Sequence, residues 1–278
     1  EFRRVLFRSS LIEAARDLGA GRMQTLLKVT LPLSANGIIS GVTMVFIPAL
    51  TTFVISALLG GNKVLLVGPY ETALALIKML PDGKFWLSAL ASGVRIFAGF
   101  LSGALLGVLM AALSYRWRLM RELFSPLIGA LKAVPVASFV ILALIWFGSG
   151  LLGFFVTLIV TLPILYLNAL EGLDSADAKL LEVKKVYKMG LFPSIKGIYF
   201  PEIYPYLKSA LELSVGMSWK SGIAAEVIGQ PLGTLGNELY RAKILLETDR
   251  LLAVTVAAVF LSWCMGKLVI RAFSLLKR

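Results

Sequence analysis

Long apolar runs alternate with short polar breaks along most of this chain, and the length of the runs sets the first expectation. A helix that rises 1.5 Å per residue needs about 20 apolar residues to cross a hydrocarbon core of about 30 Å. Six runs reach that length: Gly37 to Leu59, Phe85 to Ser114, Leu127 to Phe147, Leu151 to Leu170, Tyr206 to Ile228 and Leu251 to Phe273. The breaks are rich in Gly, Pro and charge, as at GSG (Gly148 to Gly150) and GQPLGTLGNELYRAK (Gly229 to Lys243). The pattern predicts an all-α, polytopic membrane helical bundle of about six transmembrane helices.

Composition sharpens this. Of 278 residues, 58% are hydrophobic and 16% charged, a balance foreign to soluble globular domains. There is no histidine and one cysteine, so Cys/His nucleophiles, Ser/His/Asp triads and His/Cys metal clusters have no material to form from. No aspartate falls within a predicted span, which removes a paired intramembrane aspartyl site. The chain is expected not to be an enzyme.

The net charge of +12 admits two explanations, nucleic acid or cationic cytoplasmic loops. With the N-terminus placed inside, Lys and Arg divide 19 to 6 between inner and outer segments. That asymmetry fits the positive-inside rule with both termini cytoplasmic, and accounts for most of the net charge without nucleic acid. Trp86, Trp117, Trp146 and Trp263 fall near predicted span ends, where amphipathic rings sit among headgroups. The opening EFRRVLFRSS has no long apolar core, and residues 1–10 read as a non-native leader.

The most specific segment is EAARDLGAGRMQTLLKVTLP, in which Glu13, Ala14, Ala15, Gly19, Val29, Leu31 and Pro32 keep a fixed spacing. It resembles the EAA loop of ATP-binding cassette (ABC) importer permeases, the cytoplasmic elbow that docks on the ATPase subunit. The spacing recurs 169 residues later as EVKKVYKMGLFPSIKGIYFP, with Glu182, Ile198 and Pro201 in register. There Lys188 stands in place of the glycine, Gly190 comes two positions late, and Pro193 is tolerable only in a first helical turn. The resemblance implies ATPase coupling through Glu182, Lys188, Gly190, Ile195, Ile198 and Pro201, and in the first copy through Glu13, Ala14, Ala15, Gly19 and Pro32. An ordinary amphipathic surface helix is the competing reading of either copy.

From about Val67 onward, DGKFWLSALASGVRIFAGF, LKAVPVASFVILALIWFG, NALEGLDSADAKLLEVKKVYKM and WKSGIAAEVIGQPLGTLGNELYRAKILLETD resemble nitrate, sulfonate and taurine ABC permeases. Glu13 to about Gly61 is more similar to a spermidine/putrescine-type permease. The chain therefore reads as two pieces, 11–66 and 67–278, joined between Gly60 and Gly68. The resemblance implies the type I ABC importer permease fold in a bacterial inner membrane. Its expected partners are a separate ATPase that binds ATP and Mg, a second permease copy, an extracytoplasmic solute-binding protein and membrane lipid. No cofactor is expected in this chain, which has no phosphate-cradling G-x-x-x-x-G-K-[ST] loop. A scaffold or channel without an ATPase, or a non-functional chimeric product, is the alternative.

Within the membrane, Gly99, Gly103 and Gly107 recur every four residues, a spacing that lets helix backbones approach. Lys208, Glu212, Gly216 and Lys220 repeat likewise along the fifth run, near Ser218 and Ser221. Ionisable groups at depth usually face a bundle interior or a water-filled path. In the family this helix lines the translocation path, which makes Lys220 the candidate for attracting an anion, with Ser218 and Ser221 beside it and Glu226 as a gate or packing residue. Against that, Lys208 and Glu212 pair within one helix, Lys220 and Glu226 pair elsewhere or snorkel, and Arg95 and Lys132 snorkel to an interface.

Overall fold

Asp82 fixes the start of the longest helix, because its carboxylate accepts the Lys84 amide at 2.9 Å and so caps the first turn. The computed structural model describes residues 14–15, 17–35, 37, 39–41, 43, 47 and 67–275. The leader, Glu13 and most of the expected first span lie outside the described residues. The chain divides into two compact units, Glu1–Leu66 and Val67–Arg278.

In the first unit, α1 (Arg22–Thr25) passes into a five-residue π turn, Leu26–Thr30. The second unit comprises α2 (Pro69–Met79), α3 (Gly83–Arg116), α4 (Arg118–Ala133), α5 (Val136–Phe147), α6 (Leu152–Asp174), α7 (Ala178–Val186), α8 (Leu191–Ser194), α9 (Phe200–Gly229), α10 (Leu235–Ile244) and α11 (Thr248–Leu275). A second π turn, Ile195–Tyr199, joins α8 to α9. No strand occurs among the described residues.

The central contact is α3 against α6, and small residues set its distance. A Cβ placed on Gly103 or on Gly107 would sit 2.7 Å from the Leu158 or the Leu162 carbonyl oxygen, and one on Gly99 would strike Thr157. The three glycines thus face α6, and their spacing is a packing device. α9 lies on the other flank of α6, where the Thr161 and Ser218 hydroxyls share a 2.6 Å hydrogen bond. One apolar core joins Ala104 and Ala111 of α3, Leu165, Tyr166 and Ala169 of α6, and Leu207 and Ala210 of α9. Another joins Phe85, Ala89, Ile96, Trp219, Ile223, Leu235 and Val254.

The expected third span, Leu127 to Phe147, is not one helix. α4 and α5 meet at 103°. Pro135 forces the break: Val134, the residue before it, is held extended at φ −74°, ψ 129°, and the proline has no N–H to continue the ladder. α4 keeps Ile128 buried and leaves Leu119, Leu123 and Leu127 exposed on a neighbouring stripe. Arg121 fastens it to the end of α6 through a 2.7 Å ion pair with Asp174.

Among the described residues three helices, α3, the run Ser149–Asp174 that contains α6, and α11, are long and apolar enough to cross a membrane, and the bent pair α4–α5 makes up to four. α9 is long enough, but every 18-residue stretch of it holds three of Glu202, Lys208, Glu212, Lys220 and Glu226. Charge, not length, sets it apart.

Candidate coupling elbows and groove

Each sequence copy of the elbow folds the same way. Gly19 takes φ 80°, and Lys188, 169 residues later, takes φ 47°, so the lysine adopts the left-handed backbone of the glycine it replaces. The Ala20 amide donates to Ala15 O at 3.0 Å, as the Met189 amide does to Lys184 O at 3.1 Å. Thr25 Oγ1 donates to Gly21 O at 3.1 Å and Ser194 Oγ to Gly190 O at 2.7 Å. Gly190 is therefore the counterpart of Gly21 and not a displaced Gly19, which corrects the sequence alignment of the second copy.

The π turns have a cause in the sequence. A proline ring clashes with the carbonyl four residues back, which for Pro32 and Pro201 belongs to Lys28 and Gly197. Both of those residues sit in the middle of a π turn, Leu26–Thr30 or Ile195–Tyr199, where the widened ladder relieves the clash. Pro193 falls in the first turn of α8, where a missing N–H is harmless.

Glu182, Lys188, Gly190, Ile195 and Pro201 are exposed, as are Ala14, Gly19 and Pro32, while Ala15 is half-buried. Ile198 departs from the expected coupling surface. It is 5% exposed, the buried residue of the π turn Ile195–Tyr199.

The polar repeat of α9 also separates by face. Lys208, Glu212, Gly216 and Lys220 point away from the bundle, and Lys208 Nζ lies 4.0 Å from Glu212 Oε1. Between α9 and α11 runs a groove in two stretches. One, of about 540 Å³, is lined by Gly216, Trp219, Lys220, Thr255, Ser262 and Trp263. The other, of about 490 Å³, is lined by Glu212, Gly216, Ser262, Trp263, Lys267 and Arg271. Shared residues make them continuous. Lys267 Nζ sits 3.6 Å from the Trp263 ring centroid, so one cation of the groove rests on an aromatic face.

Ser218, Ser221 and Glu226 do not join Lys220 there. All three are buried: Ser218, two positions from Lys220, is turned from it by about 200°, Ser221 by about 100° and Glu226 by about 240°. Ser218 is bonded to Thr161 and contributes to packing.

Glu226 has the most constrained position among the described carboxylates. It is fully buried, and its Oε2 accepts the Ser92 hydroxyl at 2.6 Å and the Gly236 amide at 3.3 Å. Ser92 Oγ in turn accepts the Leu235 amide at 2.9 Å. Together with Thr234 Oγ1, which accepts the Asn237 amide at 3.2 Å, they satisfy the first three amides of α10. A Cβ on Gly236 would collide with Glu226, so only glycine lets the carboxylate reach the helix end. Arg95 lies within electrostatic reach of this carboxylate, with Nη1 buried and without a hydrogen-bond partner among the described residues. It does not snorkel as expected. Sequence reasoning missed the Ser92–Glu226 contact, and only the pairing of a Ser and a Glu in two apolar runs hinted at it.

Comparison with known proteins adds the family context. A family model described as the inner membrane component of binding-protein-dependent transport systems matches residues 6–101 and 103–278. The spermidine/putrescine transport system permease protein PotB of Escherichia coli (strain K12) is 50% identical over 58 residues, 21% of this chain and 21% of that protein. The chain thus spans about a fifth of that relative's length. The aliphatic sulfonates transport permease protein SsuC of the same strain is 27% identical over 215 residues, 77% of this chain and 80% of that protein. A crystal structure of an amino acid ABC transporter with histidines superposes with a TM-score of 0.55 at 19% identity, over 74% of this chain and 97% of that one.

Proposed function

The chain belongs to the family of inner membrane components of binding-protein-dependent transport systems, and we propose that it acts as the permease subunit of an ABC importer for a small anion such as a sulfonate, taurine or nitrate. The observation that carries this reading is α9 itself. One continuous helical run starts at the α7–α8 elbow, passes the π turn, and ends by presenting Lys208, Glu212, Gly216 and Lys220 outward.

A charge facing lipid at mid-membrane costs about 2.5–3.5 kcal/mol on insertion scales, so hydrocarbon is a poor cover for this stripe. A second copy of the chain across a water-filled path covers it without that cost. Lys220, Lys267 and Arg271 outnumber Glu212 along the groove, which favours an anionic cargo. The sulfonate-type relatives point the same way.

In this reading the elbow faces the cytoplasm, as do both termini, and docks on an ATPase subunit that binds ATP and Mg. Closure of two ATPases pulls the elbow, and the unbroken run into α9 carries the pull to the groove. A solute-binding protein delivers cargo at the outer end, near α10. The chain itself supplies no bond chemistry. Residues 11–66 form a partial second permease piece in this reading, supported by the high identity to the spermidine/putrescine-type relative over a short stretch. Reads from the source DNA that span codons 55 to 75 unbroken at normal depth would refute the reading of the chain as a chimera of two pieces.

The test is ATP-driven taurine uptake into proteoliposomes holding the chain, an importer ATPase and a binding protein. Lys220→Met is expected to raise KM for uptake about tenfold, equivalent to about 1.4 kcal/mol, with little change in ATPase docking. Unchanged uptake at low substrate removes Lys220 from the path. Ion conductance across bilayers without ATP would favour a channel instead.

A further inference from the structure

At the end of the second unit away from the elbow, the starts of α3 and α11 and the helix α10 enclose a cavity of about 300 Å³. That volume is at the lower end of the range of ligand pockets, about 300–1,000 Å³. Three cations, Lys84, Arg241 and Arg250, and three carboxylates, Asp82, Glu238 and Glu247, line it. The groove between α9 and α11 shares none of them. The walls are held by the fold itself. Arg250 donates to Glu238 at 2.8 Å and lies 3.9 Å from Glu247, which ties α11 to α10. Leu246 takes φ 56°, the Glu247 amide donates to Ala242 O at 2.9 Å, and the Leu246 amide donates to Lys243 O at 3.3 Å. This is the double hydrogen bond of a left-handed helix end, at a position that glycine usually fills, and it fixes the backbone of Glu247 beside the cavity. Ser92 and Glu226 hold the other end of α10.

The ion pairs leave a surplus. Glu238 and Glu247 are both engaged by Arg250. Lys84 and Arg241 enter no ion pair among the described residues, and neither does Asp82, whose Oδ1 accepts only the Lys84 amide. Two cations and one carboxylate therefore remain. A simple anion answers the cations and leaves Asp82 facing it. A short zwitterion answers all three, because its anionic end accepts from Lys84 and Arg241 while its ammonium donates to Asp82. A sulfonate has three oxygens, enough to meet both cations at once. We propose that this cavity is a binding site for a short aminosulfonate zwitterion such as taurine. Its chemistry stands on the cavity alone, and its place on the route of the cargo rests on the importer reading. Within that reading it selects taurine over nitrate or an alkyl sulfonate, neither of which offers Asp82 a donor.

The experiment is equilibrium binding of radiolabelled taurine to the full chain in lipid nanodiscs, without ATPase or binding protein. Ethanesulfonate, which keeps the sulfonate and lacks the ammonium, is the competitor. Taurine is expected to bind, and ethanesulfonate to displace it about tenfold or more less effectively than unlabelled taurine does, since a site built to pair an ammonium rejects the analogue without one. Lys84→Gln with Arg241→Gln is expected to weaken taurine binding about tenfold or more, the effect of losing one charge-assisted hydrogen bond. Both side chains are exposed and outside any ion pair, and helicity and size-exclusion profile report whether the variant stays folded. Asp82→Asn keeps an acceptor for the first turn of α3 and removes the charge. It is expected to let ethanesulfonate compete as well as taurine, a change that a purely structural role for Asp82 does not produce.

If the unaltered chain binds no taurine while the assembled importer takes it up with ATP, the inference fails and the importer reading stands. Binding that is lost in Lys220→Met and kept in Lys84→Gln with Arg241→Gln puts the ligand in the groove and also overturns it. Equal competition by ethanesulfonate in the unaltered chain shows a site that reads only the anion, and the zwitterion assignment falls. Binding in the expected pattern with no ATP-driven uptake by the assembled importer keeps the site and removes the importer reading.

Discussion

The Ser92 hydroxyl donates to the Glu226 carboxylate at 2.6 Å across 134 residues of sequence, and the two together close the N-terminus of α10. Removing the carboxylate leaves the Gly236 amide unpaired in a buried site and frees Ser92 from one side. Glu226→Ala is expected to destabilise the chain by about 1–3 kcal/mol, the scale of a buried donor left unsatisfied. Hydrogen exchange at Leu235, Gly236 and Asn237 is the measurement. Glu226→Gln keeps an acceptor for Ser92 and is expected to retain more of that protection than alanine. Unchanged protection in Glu226→Ala would show that the carboxylate does not hold α10.

Close approach of α3 to α6 gives a second expectation. Gly103→Ala puts a methyl group within 2.7 Å of the Leu158 carbonyl oxygen, so one helix must shift. Overpacking of this kind costs about 1–3 kcal/mol. Gly93→Ala, where a Cβ meets nothing within 4 Å, is the matched control and is expected to be near neutral. Thermal unfolding in detergent that lowers both variants equally would contradict the role assigned to the glycine spacing.

Much of this architecture is readable from the chain, for reasons that can be named. The run Phe85 to Ser114 becomes Gly83–Arg116 because an apolar stretch that long has one stable form in lipid and Asp82 is a capping residue. The four-residue spacing of Lys208, Glu212, Gly216 and Lys220 maps onto one exposed face because the period is local. The same reasoning, carried two residues further, places Ser218 on the opposite face, a signal that was present and unused. A count of apolar residues runs straight through Pro135, whereas the proline itself, which has no N–H and holds Val134 extended, marks the place where the run can break. Glu226 and Ser92 could not be paired from spacing, because nothing in either segment encodes the other's position. Lys188 is the instructive middle case. The motif shows that a glycine is missing there, and the structure shows that its backbone conformation survives the loss.

Lys188 leads to a third prediction. Replacement by glycine removes the side-chain penalty of a positive φ, about 1–2 kcal/mol for an L-residue in this region, whereas a β-branched residue increases it. Lys188→Gly is expected to keep permease-stimulated ATP hydrolysis in the reconstituted importer, and Lys188→Val to lower it. Equal hydrolysis in the two variants would show that the shape of this turn does not matter to coupling.

The last prediction concerns sidedness, on which the coupling argument depends. Lys196 lies on the exposed surface of the second elbow, and Lys243 lies on α10 at the far end of α9. α9 separates the two by 30 helical residues, so they belong to opposite faces of a bilayer if α9 spans it. Single cysteines at these positions, in a Cys264→Ser background, report the faces directly. An impermeant maleimide on intact spheroplasts is expected to label Lys243→Cys at once and Lys196→Cys only after the membrane is opened. Labelling of Lys196→Cys from outside would put the elbow beyond reach of any cytosolic ATPase, however well its shape fits one. Labelling of both positions from one side would instead mean that α9 does not cross the membrane, and its charged stripe would then need no second chain to cover it.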